Sequence, residues 1–279
     1  MASPHGVSSV ETDKVFAGSV PVFYDTDLVP LIFEPYATDL VNRLQIRTLS
    51  RVLELAAGTG VLTRALASAL PREVSITATD LNEAMLERAA LVGTERPVEW
   101  RQADAMQLPF GDATFDAVLC QFGVMFFPDK CKAFSEVRRV LRPGGAFVFS
   151  VWDRIEENEI SETVTAALAS VYPEDPPKFL VETPYGYYDR QVIQRDLASA
   201  GFGASPKFDT VAARSRPTSA DAVATAYCLG TPLQKWIETR NRIRLDEASA
   251  VVAAAIAKRF GNGQVDGKTQ AHVISVQNS

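Results

Sequence analysis

Histidine is nearly missing from this sequence: there are two in 279 residues, His5 and His272. Histidine is the commonest general base, so acyl-transfer schemes built on an imidazole have little to work with. Cysteine is scarce as well, with three scattered residues at Cys120, Cys131 and Cys228. An odd number of thiols and no CxxC pair exclude a disulfide scaffold, fit a reducing compartment and give no metal site. Long apolar runs are absent, since nothing approaches the roughly 20 residues that cross a bilayer. Met1 to Val20 also lacks the charged start and apolar stretch of a secretory signal. A cytoplasmic protein without a membrane span is expected. Blocks of like charge are missing too, and 28 basic against 34 acidic residues leave a net charge of −6. Without a basic stripe to meet a phosphate backbone, nucleic acid is not expected as a partner.

What remains is an ordinary globular chain, 47% hydrophobic and 22% charged, with material for a substantial core. Apolar residues recur at helical spacing over Leu28, Leu31 and Ile32, then over Leu40, Val41 and Leu44, with Pro35 dividing the two pieces. Arg51–Ala56 reads as a buried strand that passes through Ala57-Gly58-Thr59-Gly60 into a helix over Val61–Leu70, stopped by Pro71. Further strands are expected at Val74–Thr79, Val98–Gln102, Phe115–Cys120 and Ala146–Trp152. Helices are expected from Asn82 to about Val92, and from Pro128 to a terminator at Arg142–Gly145. This alternation predicts an α/β fold: a doubly wound, mostly parallel, Rossmann-like sheet with helical insertions. Beyond Trp152 come a helix and an irregular stretch, a helix over Gln191–Ala200, a strand at Lys207–Ala213, Ala-rich helices over 217–260 and a short last strand, Ala271–Val276. His272, near the start of that strand, is expected to be structural.

The turn at Gly58-Thr59-Gly60 lets backbone approach a ligand closely and exposes a helix N-terminus. A dinucleotide fingerprint requires a further glycine where Thr63 stands, and the acidic Glu54 inside the strand also points away from a dinucleotide. Asp80 ends the next strand, 20 residues after Gly60, where a carboxylate accepts from ribose hydroxyls. Asp104 follows the third strand and suits an exocyclic amine. Each acid alone reads equally well as a helix cap or a solvated turn. Together, at the carboxyl ends of successive strands, they point to one ligand.

Five ordered segments carry a resemblance: Val52-Leu-Glu-Leu-Ala-Ala-Gly-Thr-Gly60, Thr79-Asp-Leu-Asn-Glu-Ala-Met-Leu86, Ala103-Asp-Ala-Met-Gln-Leu-Pro-Phe110, Phe115-Asp-Ala-Val-Leu-Cys-Gln-Phe122 and Val140-Leu-Arg-Pro-Gly-Gly-Ala-Phe147. Over roughly residues 50–152 the chain resembles class I S-adenosylmethionine-dependent methyltransferases, in particular the small-molecule group that includes the quinone-biosynthesis C-methyltransferases. The resemblance implies S-adenosylmethionine as cofactor. Glu54, Gly58 and Gly60 would line its methionine end, Asp80 would hold the ribose, and Leu81, with Met85 as a weaker candidate, would face the adenine. Asp104 and the backbone of Ala105 would meet the adenine ring, and Gln121 and Phe122 would face the donor methyl and the substrate. Ala56 stands where the family usually has its first glycine, which a negative φ would tolerate.

Methyl transfer from a sulfonium proceeds by alignment, which alone can contribute about 7–11 kcal/mol, so a chain poor in histidine suits it. No catalytic side chain stands out. The Asn/Asp-Pro-Pro-aromatic turn of amino-methylating DNA enzymes is replaced by Gln121-Phe122-Gly123-Val124, and a small-molecule acceptor is expected instead. Aromatic residues, from Phe23, Tyr24, Phe33 and Tyr36 through Phe122, Phe126, Phe127 and Trp152 to Tyr185, Tyr187 and Tyr188, divide between core and pocket rim. Tyr24, Phe122 and Trp152 are the candidates for the acceptor pocket. One domain spanning 1–279 is expected, with a cofactor core over 46–152 and substrate or lid insertions at 153–188 and 217–265. The competing readings are a non-catalytic S-adenosylmethionine-binding module and a nucleotide-dependent oxidoreductase. The sequence leaves the acceptor, the use of a general base and the oligomeric state open.

Overall fold

The computed structural model describes residues 20–44, 49–240 and 243–279; His5 and residues 46–48 of the expected cofactor core lie outside them. Strands β1 (Arg51–Leu55), β2 (Ser75–Asp80), β3 (Glu99–Gln102), β4 (Phe115–Gln121), β5 (Leu141–Trp152), β6 (Lys207–Ser215) and β7 (Gly267–Gln277) form one sheet in the order β3-β2-β1-β4-β5-β7-β6. The five strands from β3 to β5 run parallel, and β7 is antiparallel to both its neighbours. The doubly wound, Rossmann-like α/β fold read from the strand–helix alternation is the fold observed.

Both faces of the central strands are covered, which is why those strands read as continuous apolar runs. On one face α1 (Glu34–Leu44) and α2 (Val61–Ala69) pack Leu40, Leu44, Leu62 and Leu66 against Val52, Leu119 and Val148. On the other, α4 (Lys130–Val140) places Phe134 and Val137 with Phe147, Phe149 and Val151 of β5. Each fully buried Leu or Phe contributes roughly 1.5–3 kcal/mol. Between them, α3 (Glu83–Val92) starts at Asn82, whose side chain accepts from the Met85 N–H as expected of an N-cap. Asp129 does the same for α4. Pro35 does divide the early helical segment: one piece ends at Ile32 with Phe33 as its C-cap, and Pro35 becomes the second residue of α1, where a missing N–H costs nothing.

After β5 come α5 (Glu159–Val171), α6 (Arg190–Ser199), α7 (Ala220–Leu229), α8 (Leu233–Arg240) and α9 (Leu245–Phe260). The α7, α8 and α9 helices fall in the Ala-rich stretch before the last strand.

Two expectations are corrected here. Residues Arg142–Gly145 do more than terminate α4. Leu141 already pairs with Phe115, and the next four residues bulge out before Ala146 pairs with Ala117. The far end of the chain closes that bulge: Gly144 N–H donates to the Asn278 carbonyl at 2.6 Å, and Asn278 N–H donates to Gly145 at 2.9 Å. The last strand is also long rather than short, so His272 lies in its middle, paired with Val151 and Thr210. There the His272 Nε2 faces Asp153 Oδ1 at 3.3 Å and Nδ1 faces the Thr210 hydroxyl at 3.2 Å. Burial lowers the His272 pKa, against the Asp153 charge, and its two nitrogens are engaged as a structural histidine's would be.

Among the described residues, no helix is long and apolar enough to cross a membrane.

Asn278 also donates from Nδ2 to the carbonyls of Leu141 (2.8 Å) and Arg138 (3.1 Å), joining the end of α4 to the bulge. Asn278→Ala is therefore expected to destabilise the fold by about 1–3 kcal/mol, because buried carbonyls lose their donor. Urea denaturation of the two proteins measures the difference.

Candidate active site

The parallel strands end along one edge of the sheet, and the residues singled out by sequence collect there. After β1 the chain turns sharply through residues 56–60, with φ of +52° at Ala56, +55° at Gly58 and +86° at Gly60. Ala57 N–H donates to the Thr79 carbonyl at 2.9 Å, and the Thr79 hydroxyl returns a bond to the Glu54 carbonyl at 2.8 Å. Gly60 is required twice over. Its φ is left-handed, and an added Cβ would lie 2.9 Å from the Trp100 ring and 3.2 Å from Ala89.

Ala56 does not take the negative φ at which an alanine would be easily tolerated there. Its left-handed backbone costs an alanine roughly 1–2 kcal/mol. The methyl group is accommodated because position 123 has none: a Cβ on Gly123 would come within 2.4 Å of the Ala56 Cβ and 2.7 Å of Cys120 Sγ. Gly123 itself has an ordinary φ of −102°, so space alone demands glycine there.

The Asp80 carboxylate ends β2 and holds two backbone amides, accepting Gly58 N–H at Oδ2 and Asn82 N–H at Oδ1, both at 2.8 Å. Leu81, next in the chain, is half-buried. On the neighbouring strand end Asp104 accepts from Met106 N–H at 2.8 Å, beside the half-buried Ala105. Met85 is buried among core residues. At the end of β4, Gln121 donates from Nε2 to the Phe33 carbonyl at 2.8 Å, while its Oε1 is buried with no partner among the described residues. Thr59 Oγ1, inside the glycine turn, is also buried without a partner among the described residues. The turn, both acids and the amide thus stand on four adjacent strand ends, β3-β2-β1-β4, spanning roughly 15 Å.

Glu54 lies just below this edge and is 1% exposed. Its Oε2 accepts from the Thr63 hydroxyl at 2.6 Å, so the residue that breaks the dinucleotide fingerprint serves the buried acid. Burial pushes the Glu54 pKa up to about 8; the Asp80 charge adds to this, while Thr63 and Arg64 oppose it.

The edge is covered by a segment without any recognisable motif. A π-helical turn, Tyr24–Leu28, lays the Tyr24 ring and hydroxyl 3.9 Å from where a Cβ of Gly58 would be. Burial, then the charges of Asp80 and Asp25, raise the Tyr24 pKa. Asp25 pairs with Arg88 of α3 at 2.9 Å and Arg64 of α2 at 3.4 Å. Sequence reasoning missed Asp25, Arg64, Arg88 and Trp100, because partners 39 and 63 residues apart in charge pairs leave no periodic signal.

Beside the turn, the Phe122 ring (φ +52°) stacks on Trp152 at 3.8 Å and 7°. Tyr36 meets both rings edge-on at 5.2 and 5.3 Å. Phe33 bridges Tyr24 to this group at 5.3 and 5.6 Å, and Tyr185 approaches Trp152 at 5.8 Å. Phe122 and Trp152 are buried within the cluster. Of the other aromatics, Phe126 pairs with Phe179, Tyr187 bonds Asp196 and Tyr188 is exposed. Among the described residues, no group of His, Cys, Asp and Glu is arranged to hold a metal ion.

A family profile described as a methyltransferase domain matches residues 53–149. A ubiquinone/menaquinone biosynthesis C-methyltransferase of Teredinibacter turnerae is 31% identical over 170 residues, covering 56% of this chain and 68% of that protein. The chain belongs to the class I S-adenosylmethionine-dependent methyltransferases. The enzyme of the same name from Coxiella burnetii is 29% identical to this methyltransferase over 218 residues, 69% of this chain and 84% of the relative. Among solved structures, a putative methyltransferase of Bacillus halodurans superposes with a TM-score of 0.55 at 18% identity, covering 87% of this chain and 98% of its own. A phosphoethanolamine N-methyltransferase of Haemonchus contortus, in complex with S-adenosyl-L-methionine, reaches 0.58 at 16% identity over 98% of this chain and 60% of its own. At such identities the structural likeness speaks for the fold.

Two measurements test the geometry of this methyltransferase. Gly123→Ala is expected to lose about 1–3 kcal/mol by overpacking, and Ala56→Gly in the same chain should recover part of that loss, giving a non-zero coupling in a double-mutant cycle. For Glu54, the folded pKa of about 8 lies above the unfolded value of about 4.3. Between the two, only the folded chain holds the proton, so this group makes stability fall as pH rises, by up to about 1.4 kcal/mol per unit, and the loss is complete above the folded value. Glu54→Gln, which keeps an acceptor for Thr63, should remove that slope in denaturation curves collected from about pH 5 to about pH 8.

Proposed function

We propose that this methyltransferase binds S-adenosylmethionine along the β3-β2-β1-β4 strand ends and passes its methyl group to a small, largely apolar acceptor held against the aromatic cluster. The observation that carries the reading is the gathering of Gly58, Asp80, Asp104 and Gln121, distant in sequence, onto those adjacent strand ends. This edge is where open α/β sheets bind ligands. The donor set suits the cofactor. Thr59 Oγ1 and Gln121 Oε1 are buried without partners among the described residues, and each such group costs about 1–3 kcal/mol until a ligand satisfies it.

Glu54, Gly58 and Gly60 line the methionine end in this reading, with Gln121 beside them. A buried carboxyl at Glu54 gains a counter-charge when a ligand ammonium arrives. Asp80 accepts from the ribose hydroxyls, Leu81 flanks the adenine, and Asp104 with Ala105 meets its edge. When bound, S-adenosylmethionine supplies a methyl group on a sulfonium. The chain's part is to orient and dry the site: Tyr24 closes it over Gly58, Asp25 clamps that segment through Arg64 and Arg88, and Phe122 and Trp152 present an apolar wall. No titratable base need join these rings, because alignment is the main demand of the reaction.

The insertions at 153–188 and 217–265 form the roof. Ser161 from the first accepts or donates hydrogen bonds with Tyr185 (2.6 Å) and with Tyr227 of the second (2.7 Å), and Gly230 lies against the backbone of Phe23 and Tyr24. Three free cysteines, two of them buried, support a reducing cytoplasmic setting. A small acceptor leaves no role for nucleic acid.

Asp80→Ala tests the cofactor reading. Loss of two charge-assisted bonds to the ribose should weaken S-adenosylmethionine binding roughly a hundredfold or more in calorimetric titrations. Because Asp80 also holds Gly58 and Asn82, a lower melting temperature is expected alongside. Unchanged affinity overturns the ribose assignment.

A further inference from the structure

The opposite edge of the sheet carries a polar feature that methyl transfer does not use. Arg96 lies in the loop between α3 and β3 and is 9% exposed. Its Nη1 donates to the Pro71 carbonyl at 2.6 Å, whereas Nε and Nη2 are buried with no hydrogen-bond partner among the described residues. Those two nitrogens form one edge of the guanidinium, the edge that presents parallel N–H groups to a pair of oxygens. Elsewhere in this chain the same edge grips carboxylates: Arg43 holds Asp39 at 2.6 and 3.3 Å, and Arg139 holds Glu136 at 2.8 and 2.8 Å. On Arg96 that edge has no acceptor among the described residues. Buried charges in proteins are ordinarily paired.

Arg96 lines a cavity of about 330 Å³ together with Arg72, Glu73, Val74, Ser75 and Pro97. Ser75 opens β2 and Asp80 closes it, so five residue steps, roughly 16 Å, separate this cavity from the ribose acid. Arg72 adds a second positive charge and Glu73 is the one acid in the lining. Both are exposed side chains, and no hydrogen bond or ion pair is found for either among the described residues.

We propose that this cavity is a second ligand site, at which a small oxyanion, a phosphate or carboxylate group, sits side-on against Nε and Nη2 of Arg96 with Arg72 at the mouth. Phosphate is the better fit, because two guanidinium groups match its double charge.

The test uses the full chain, with thermal melts and calorimetric titration against inorganic phosphate and, separately, acetate, at ionic strength held constant with chloride. Phosphate is expected to raise the melting temperature of the wild type saturably. Arg96→Met should lose that response, with affinity down about tenfold or more, while S-adenosylmethionine binding is unchanged. In chloride alone Arg96→Met should melt no lower than wild type, since an apolar side chain has replaced an unpaired buried charge. Glu73→Gln should tighten phosphate binding by removing a competing negative charge. A response to acetate but not to phosphate assigns the site to carboxylates. An equal phosphate response in wild type and Arg96→Met, or no wild-type response to either anion, overturns the proposal. If Arg96→Met fails to fold, unchanged phosphate affinity in both Glu73→Gln and Arg72→Gln overturns it as well.

Discussion

The carboxylate of Asp80 joins the ends of two strands, and the rest of the site is arranged around that joint. By accepting Gly58 N–H on one oxygen and Asn82 N–H on the other, it holds the glycine turn after β1 and the start of α3 in one frame. A turn with three left-handed residues in five would otherwise be an expensive local conformation. The neighbouring pieces then have fixed places. Trp100 and Ala89 close on Gly60, Tyr24 settles over Gly58, and Arg64 and Arg88 meet Asp25.

Around this frame the ionisable side chains are buried. Glu54 is held away from water with one hydroxyl for company, and the tyrosines near the site are pushed away from ionisation by the same burial. Aromatic faces, Phe122 on Trp152 with Tyr36 against their edges, supply shape in place of charge. In the proposed reading a chain with two histidines in all suits methyl transfer, because an electrophilic methyl on a good leaving group mainly requires an aligned acceptor.

Much of this was legible from residue order because the signals are local. Strand β1, the turn at Gly58 and Gly60, the Asn82 cap and Asp80 follow one another within about thirty residues, and each leaves its own mark on hydrophobic period or turn chemistry. The errors arose where a distant partner sets the outcome. Ala56 stands where only a negative φ would make an alanine easy, yet it takes the left-handed form, and Gly123, beyond the end of β4, leaves room for its methyl. The stretch Arg142–Gly145 reads as a helix stop, yet Asn278 turns it into part of a strand. The length of β7 was also hidden, since its polar start, Gly267–Gln270, alternates too weakly to announce a strand.

By itself, the sequence determined the strand–helix alternation, the strand-end positions of the acids and glycines, and the family those segments belong to. All of these depend on chain neighbours within a few turns or on the order of short segments. Only the tertiary structure decided that Thr63 serves Glu54, that Tyr24 lies over Gly58 under the Asp25 clamp, that Phe122 and Trp152 stack, and that the fork of Arg96 has no partner among the described residues at the far edge of the sheet. Each of those outcomes depends on which surfaces meet when the sheet closes, and hydrogen bonds or ring contacts between residues tens to hundreds of positions apart impose no pattern on local sequence.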